Sequence, residues 1–351
     1  MTREEKIRQF DPNAVGLKNE RFIGLPFEEE EARVVLLSVP WDVTVSYGEG
    51  TSTGPQNILE ASSQLDLFDP DVEQAWHLGI YFRPPDEDWL ARNDELRPKA
   101  SAYIEFLEAG GLLEDGPLHA RSLAEINRAC EELRAYVYGQ TRALLEAGKL
   151  PGIVGGEHSV PLGALQALGE AYPSFGVLQI DAHQDLRPAY EGFTYSHASI
   201  FYNALKIPSL KTLVQVGVRD HCEQEVELAA RDDRIHLFTN AWMQEGLFQG
   251  RPFAELCTDI LAPLPERVYV SFDIDGLEPI LCPNTGTPVP GGLSFDQAAY
   301  LLRRVVDSGR RIIGFDLCEV AGLGNEWDGN VGARVLYKLC NLAGKSQGWV
   351  G

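Results

Sequence analysis

Residues 175–185 read FGVLQIDAHQD, an apolar run that passes straight into a cluster of charge. The first six residues, Phe175–Ile180, form the short continuous apolar stretch expected of a parallel strand covered on both faces. The next five carry Asp181, His183 and Asp185, side chains that bind cations rather than fill cores. The same pattern recurs on either side. Val34–Val39 (VVLLSV) runs into Pro40-Trp41-Asp42 and the glycine-rich SYGEGTSTGPQNILEA, residues 46–61. Strands are likewise predicted at Gly152–Val154, Thr212–Val218, Val268–Phe272 and Arg311–Phe315. Helices are predicted from Pro55 through Leu59, over Ser122–Ala147 and over Ser294–Ser308. Strands alternating with helices imply an α/β class fold with a mostly parallel sheet between two helical layers.

Residues 1–32 read as a polar, acidic N-terminal arm with turn-like pieces at FDPN, GLKN and GLPFEEEE, and residues 33–351 as a single domain. Residues 83–120 look like a surface excursion holding one short helix near Tyr103–Leu107 and a turn in GGLLEDGP.

The chain has 351 residues, 44% hydrophobic and 23% charged, which excludes disordered, collagen-like and coiled-coil classes. Against 30 Lys+Arg stand 52 Asp+Glu, a formal charge of −22 that repels nucleic acid and anionic membranes and attracts cations. No run reaches the roughly 18 apolar residues of a membrane span. MTREEKIRQF has no apolar segment of a signal peptide, so a cytoplasmic protein is expected. Six scattered cysteines without a CxxC pair read as reduced thiols.

In such a sheet ligands gather beyond the carboxyl ends of the strands. Three of those ends are rich in metal-type donors: Gly155-Gly156-Glu157-His158-Ser159, Asp181-Ala182-His183-Gln184-Asp185 and Ser271-Phe272-Asp273-Ile274-Asp275. In extended chain alternate side chains share a face, so Asp181, His183 and Asp185 point together, as do Asp273 and Asp275. Each motif alone suits a cap or a turn equally well. Jointly they converge four carboxylates and two imidazoles, whose mutual repulsion two divalent cations would relieve. That hard donor set suits Mn²⁺, with Ni²⁺, Fe²⁺ or Co²⁺ also compatible.

GGEHS, DAHQD and SFDIDGLEP, followed by NTGTPVPGG, resemble the signatures of the arginase/agmatinase (ureohydrolase) superfamily, and TGTPVPGG is similar to its agmatinase branch. The likeness extends from about residue 40 to about residue 320. It implies a three-layer α/β/α fold, a binuclear metal site and hydrolysis of a guanidinium group to urea. By this resemblance one metal takes His158, Asp181, Asp185 and Asp273. The other takes Asp181, His183, Asp273 and Asp275. Asp185 would also accept a hydrogen bond from the nucleophilic water, whose pKa two adjacent metals lower. Glu319 in FDLCEV matches the glutamate that holds the guanidinium fork. His197 matches a proton-shuttle histidine. The resemblance further implies a homo-oligomer, a trimer or hexamer. His77, His119, His221 and His236 receive no role.

The chain departs from the agmatinase pattern at Glu157 and Glu278, where aspartate is commoner, at Ala198 after the shuttle histidine, and in AGLGNEWDGNVGARVLYKL after Glu319. These loops resemble a subgroup that includes enzymes hydrolysing free guanidine, often with nickel. On this reading Trp327 narrows the pocket and the N-terminal arm covers it. Agmatine, guanidine and 4-guanidinobutyrate all stay open as substrates, and so does a catalytically inactive family subunit. A one-metal amide hydrolase sharing the sheet architecture fits less well.

Overall fold

The computed structural model describes residues 1–17, 19–114 and 116–351; Lys18 and Asp115, each in a stretch expected to turn, lie outside it. Among the described residues eight strands form one sheet: β1 (Val34–Val39), β2 (Ile80–Arg83), β3 (Leu150–Gly155), β4 (Phe175–Ile180), β5 (Leu210–Val216), β6 (Ile235–Phe238), β7 (Arg267–Asp273) and β8 (Arg311–Cys318). Their order is β2-β1-β3-β8-β7-β4-β5-β6, and every pair is parallel. All residues of β1, β3 and β4 are buried, as expected for strands covered on both faces.

Alternation along the strands builds the layers. Val34 and Leu36 of β1 join a core with helices Gly54–Ser62, Phe295–Asp307 and Glu326–Ser346. Leu37 and Val39 face the opposite way, into a core shared with helices Glu87–Glu108 and Pro117–Glu146. The arrangement is the three-layer α/β/α sandwich.

Residues 83–120 differ most from expectation. Instead of an excursion with one short turn of helix, Glu87–Glu108 is a single 22-residue helix. It starts at Asp86, whose side chain accepts the Asp88 amide at 3.0 Å. Trp89, Asn93, Leu96, Ala100, Tyr103 and Ile104 make its buried stripe, and Pro98 sits on the exposed face. The helix also buttresses the loop after β1. Asn93 exchanges hydrogen bonds with Asp42, accepting its amide at 2.8 Å and donating to Oδ1 at 3.0 Å. Arg97 donates to the carbonyls of Val43 at 3.0 Å and Val45 at 2.7 Å. β2 and β6, four-residue edge strands, were not expected from the sequence, and β5 begins and ends two residues before the predicted Thr212–Val218.

The N-terminal residues are fastened to the body. Phe22, Ile23, Leu25 and Phe27 are buried in the larger core, and the Ile23 amide donates to Ser62 Oγ at 3.0 Å.

Candidate metal centre

Four adjacent strands, β3, β8, β7 and β4, bring their carboxyl ends to one edge of the sheet. His158 lies just past β3, Asp181 directly follows β4, Asp273 ends β7 and Glu319 directly follows β8. Residues far apart in sequence therefore meet because their strands are neighbours.

The His158 imidazole is buried, and its Nδ1 has no hydrogen-bond partner among the described residues. That nitrogen lies 3.0 Å from Asp181 Oδ2, 3.2 Å from Asp185 Oδ2 and 3.3 Å from Asp273 Oδ2. On the other side of the ring, Nε2 is 2.9 Å from Ser271 Oγ, and the Ser271 hydroxyl donates to Asp316 Oδ2 at 2.7 Å. A hydroxyl that gives its proton to a carboxylate must accept from Nε2–H. In the neutral ring, the form that binds metal, Nδ1 is thereby left with its lone pair facing the three aspartates.

A second cluster adjoins the first. His183 Nδ1 lies 3.1 Å from Asp275 Oδ2 and 3.6 Å from Asp181 Oδ1. Asp181 thus turns one oxygen to each histidine. Asp273 turns Oδ2 to His158, while its Oδ1 caps the following turn by accepting the Asp275 amide at 2.9 Å. One residue therefore serves both as the cap that a DxD sequence suggests and as part of the cluster. Among the described residues three groups have ligand atoms close enough to hold a cation: His158–Asp181–Asp185 and Asp181–His183–Asp275, which share Asp181, and His158–Asp316–Cys318, with Asp316 on the Nε2 side that the Ser271 hydroxyl already occupies. Hard oxygens with one imidazole in each of the first two, and an orphaned Nδ1 at the centre of the first, fit a pair of divalent cations.

Without cations, protons take up the charge. Burial disfavours protonated His158, yet the surrounding aspartates outweigh it and hold its pKa well above the usual imidazole value. His183 is raised in the same way, against burial, chiefly by Asp275 and Asp181. Burial, and then the Asp181 charge, push Asp185 up to about 7. Asp273 is raised well above the carboxylate range by burial and by Asp275 and Asp181. Asp181 alone moves down, because the two histidines overcome its burial.

Two of these residues occupy the left-handed region, unusual for side chains other than glycine: Asp185 at φ 56° and Glu319 at φ 64°. The alternation expected of extended chain therefore fails at Asp185. Its carbonyl is held by the Phe201 amide at 3.1 Å, and the turn still delivers its carboxylate to His158. Glu319 is fixed from several sides. Its Oε1 accepts the His158 amide at 2.8 Å, its own amide donates to Gly156 O at 2.8 Å, and its carbonyl accepts from Thr285 Oγ1 at 2.8 Å. Gly156 is required at this junction, since a Cβ there would sit 2.1 Å from Trp41 O. Burial raises the Glu319 pKa well above the carboxylate range, a cost that a bound cation would repay.

A cavity of about 160 Å³ opens beside the cluster, lined by His183, Asp185 and His197 together with Ser46, Tyr190 and Thr287. Arg187, Asp220, His221 and Glu225 also border it; His221 has a place there that the sequence did not suggest. His197 lies in the wall with Nδ1 buried and without a partner among the described residues. Desolvation, with the His183 charge beside it, pushes the His197 pKa down to about 3. Neither expected cover lines the cavity. Trp327 is 48% exposed and donates its Nε1 proton to Ile280 O at 2.9 Å, anchored to a neighbouring loop. None of the described arm residues borders the cavity either. A larger cleft of about 600 Å³ lies between the arm and helix Gly54–Ser62, but it contains no residue of the cluster.

Residues 32–340 match the Arginase family model. The chain is 33% identical to the N(1)-aminopropylagmatine ureohydrolase of Thermus thermophilus over 92% of its own length and 94% of that protein's. It is 28% identical to the agmatinase of Bacillus subtilis, covering 91% and 94%. Its fold superimposes on agmatine ureohydrolase of Thermoplasma volcanium with a TM-score of 0.70 at 21% identity, covering 98% and 99%. The chain belongs to the arginase family, as an agmatinase-like ureohydrolase: a metal-dependent hydrolase of guanidino C–N bonds.

Proposed function

We propose that this protein hydrolyses the guanidinium group of agmatine, or of a closely similar small cationic guanidino compound, to urea and an amine. The observation that carries the reading is the position of Glu319, whose buried carboxylate is tied to the His158 amide and so stands beside the paired clusters. One cation would be held by His158, Asp181, Asp185 and Asp273, the other by Asp181, His183, Asp273 and Asp275. Mn²⁺ suits these donors best, and Ni²⁺ is the alternative. When bound, such a pair lowers the pKa of a shared water and supplies a nucleophile near neutral pH.

The chain's own residues do the rest. The Glu319 carboxylate would accept two N–H groups of the planar fork and present its carbon to the clusters. Asp185 would orient the water and take its proton. His197 would pass a proton to the departing amine; with a pKa of about 3 it rests neutral and carries charge only in transit. Asp220, exposed beside the cavity, offers a carboxylate to a distal ammonium, and the net charge of −22 draws cationic substrates inward.

A second reading, hydrolysis of free guanidine, is favoured by the small volume of the cavity, about 160 Å³. Urea release from agmatine, guanidine and 4-guanidinobutyrate, each offered to protein loaded with Mn²⁺ or with Ni²⁺, separates the two. Turnover of agmatine well above guanidine supports the first; urea from guanidine alone replaces it with the second. We also assign the protein to the cytoplasm, supported by its six unpaired cysteines, and expect a homo-oligomer, trimer or hexamer, on family membership.

A further inference from the structure

We infer that Gln179 and Gln215 are positioning residues for Asp181, forming with Gln184 a polarised chain of buried amides that keeps the Asp181 carboxylate divided between the two clusters. The inference rests on the two-metal reading above. All three glutamines are fully buried. Gln179 and Gln215 face each other directly across β4 and β5. Gln179 Nε2 donates to Asp181 Oδ2 at 2.8 Å and to His183 O at 3.2 Å. Gln215 Nε2 donates to Gln179 Oε1 and to Gln184 O, both at 2.7 Å. Gln184 Nε2 donates to Gln215 Oε1 at 3.2 Å.

The orientation of each amide follows from the end of the chain. A carboxylate beside His158 only accepts, so Gln179 must turn its NH₂ to Asp181 and its oxygen away. That oxygen demands the NH₂ of Gln215, whose oxygen in turn demands the NH₂ of Gln184. The cost is left at the far end, where Gln184 Oε1 is buried with no partner among the described residues. Aligned dipoles in a buried chain reinforce one another, and here all point their positive ends towards Asp181.

What this achieves is geometric. Asp181 Oδ1 accepts the His183 amide at 2.6 Å while Oδ2 accepts Gln179. Each oxygen thus has its own fixed donor, with Oδ2 left facing His158 Nδ1 at 3.0 Å and Oδ1 facing His183 Nδ1 at 3.6 Å. Without Gln179 only the His183 amide still fixes the carboxylate, and Oδ2 loses the donor that holds it towards His158. Gln215 adds a second grip, because its bond to the Gln184 carbonyl pins the turn between His183 and Asp185.

The test is calorimetric titration of the full-length, metal-stripped protein with Mn²⁺, read together with the electron-spin signature of the coupled ion pair. Gln179→Leu is expected to weaken Mn²⁺ binding about 10–100-fold and to diminish the coupled signal. Gln215→Met should weaken it several-fold. The double variant should lose clearly less than the two single losses combined, because Gln215 acts on Asp181 mainly through Gln179 and only in part through the Gln184 carbonyl. A purely packing role would lower the melting temperature of both variants and leave affinity and spin coupling unchanged, which would overturn the inference. Strictly additive losses would overturn it too. Should Gln179→Leu fail to fold, Gln215→Met, two bonds from Asp181, carries the test alone. Wild-type protein binding fewer than two Mn²⁺ would overturn the metal reading itself, whatever the variants do.

Discussion

The Glu319 carboxylate accepts the backbone N–H of His158 at 2.8 Å, joining the residue assigned to the substrate and the most buried imidazole of the metal cluster at one rigid junction. Glu319→Gln keeps an oxygen for that amide and removes the charge. Hydrogen bonds to charged groups contribute about 1.5–3 kcal/mol, so kcat/KM should fall roughly 10–100-fold while two metals remain bound. Metal analysis alongside steady-state kinetics checks this; wild-type kinetics in the variant would remove Glu319 from substrate binding.

Asp181 faces both histidines, so Asp181→Ala should cost both metals and all urea release, whereas Asp275→Ala strips one side only. Elemental analysis of the purified variants decides it. Two metals per chain in Asp181→Ala would show that the residue does not bridge.

His197→Ala should leave metal content intact and lower kcat about 10²–10⁴-fold, the usual worth of a positioned proton-transfer group. Because burial holds its pKa near 3, the wild-type kcat profile should show no ionisation of His197 between about pH 5 and about pH 8. Unchanged turnover in the variant would end the shuttle assignment.

Stability of the metal-free protein should fall as pH rises. Asp185 and Glu157 are each raised to about 7, by burial first, so the folded state holds protons that the unfolded chain releases. Their contribution is complete below the ordinary carboxylate range and lost above about 7. Asp273 and Glu319 act in the same direction, and raised His158 and His183 prolong the decline above neutrality. Asp181, which is lowered, opposes them only in acid, and His197, lowered from 6.5 to about 3, opposes them below 6.5 with its single proton, which the several raised carboxyls outweigh. The melting temperature without metal should therefore drop from about pH 5 to about pH 8, and added Mn²⁺ should restore more at the upper end, where fewer protons must be displaced. A melting temperature that rises over this range would contradict the assignment.

The cluster was legible because its parts are local: each motif follows an unbroken apolar strand, and parallel strands send such loops to one edge. The supporting residues were not. Asp316 lies within β8 and reads as a strand residue; only the neighbouring β7 shows that it takes the Ser271 proton. Gln179, Gln184 and Gln215 carry no charge and form no motif, and their partnership depends on strand register. Helix Glu87–Glu108 was hidden by Pro98 and by its acidic face, although its buried residues recur at helical spacing. For Trp327 a bulky side chain near the site suggested a wall, while its position is set by a hydrogen bond to the Ile280 carbonyl.

Urea release from agmatine against added Mn²⁺, measured on protein first stripped of metal, tests the central claim most directly. The account predicts no urea from stripped protein and a rise that levels at two Mn²⁺ per chain. Full urea release from metal-free protein would contradict it, as would two bound Mn²⁺ with no urea from agmatine, guanidine or 4-guanidinobutyrate.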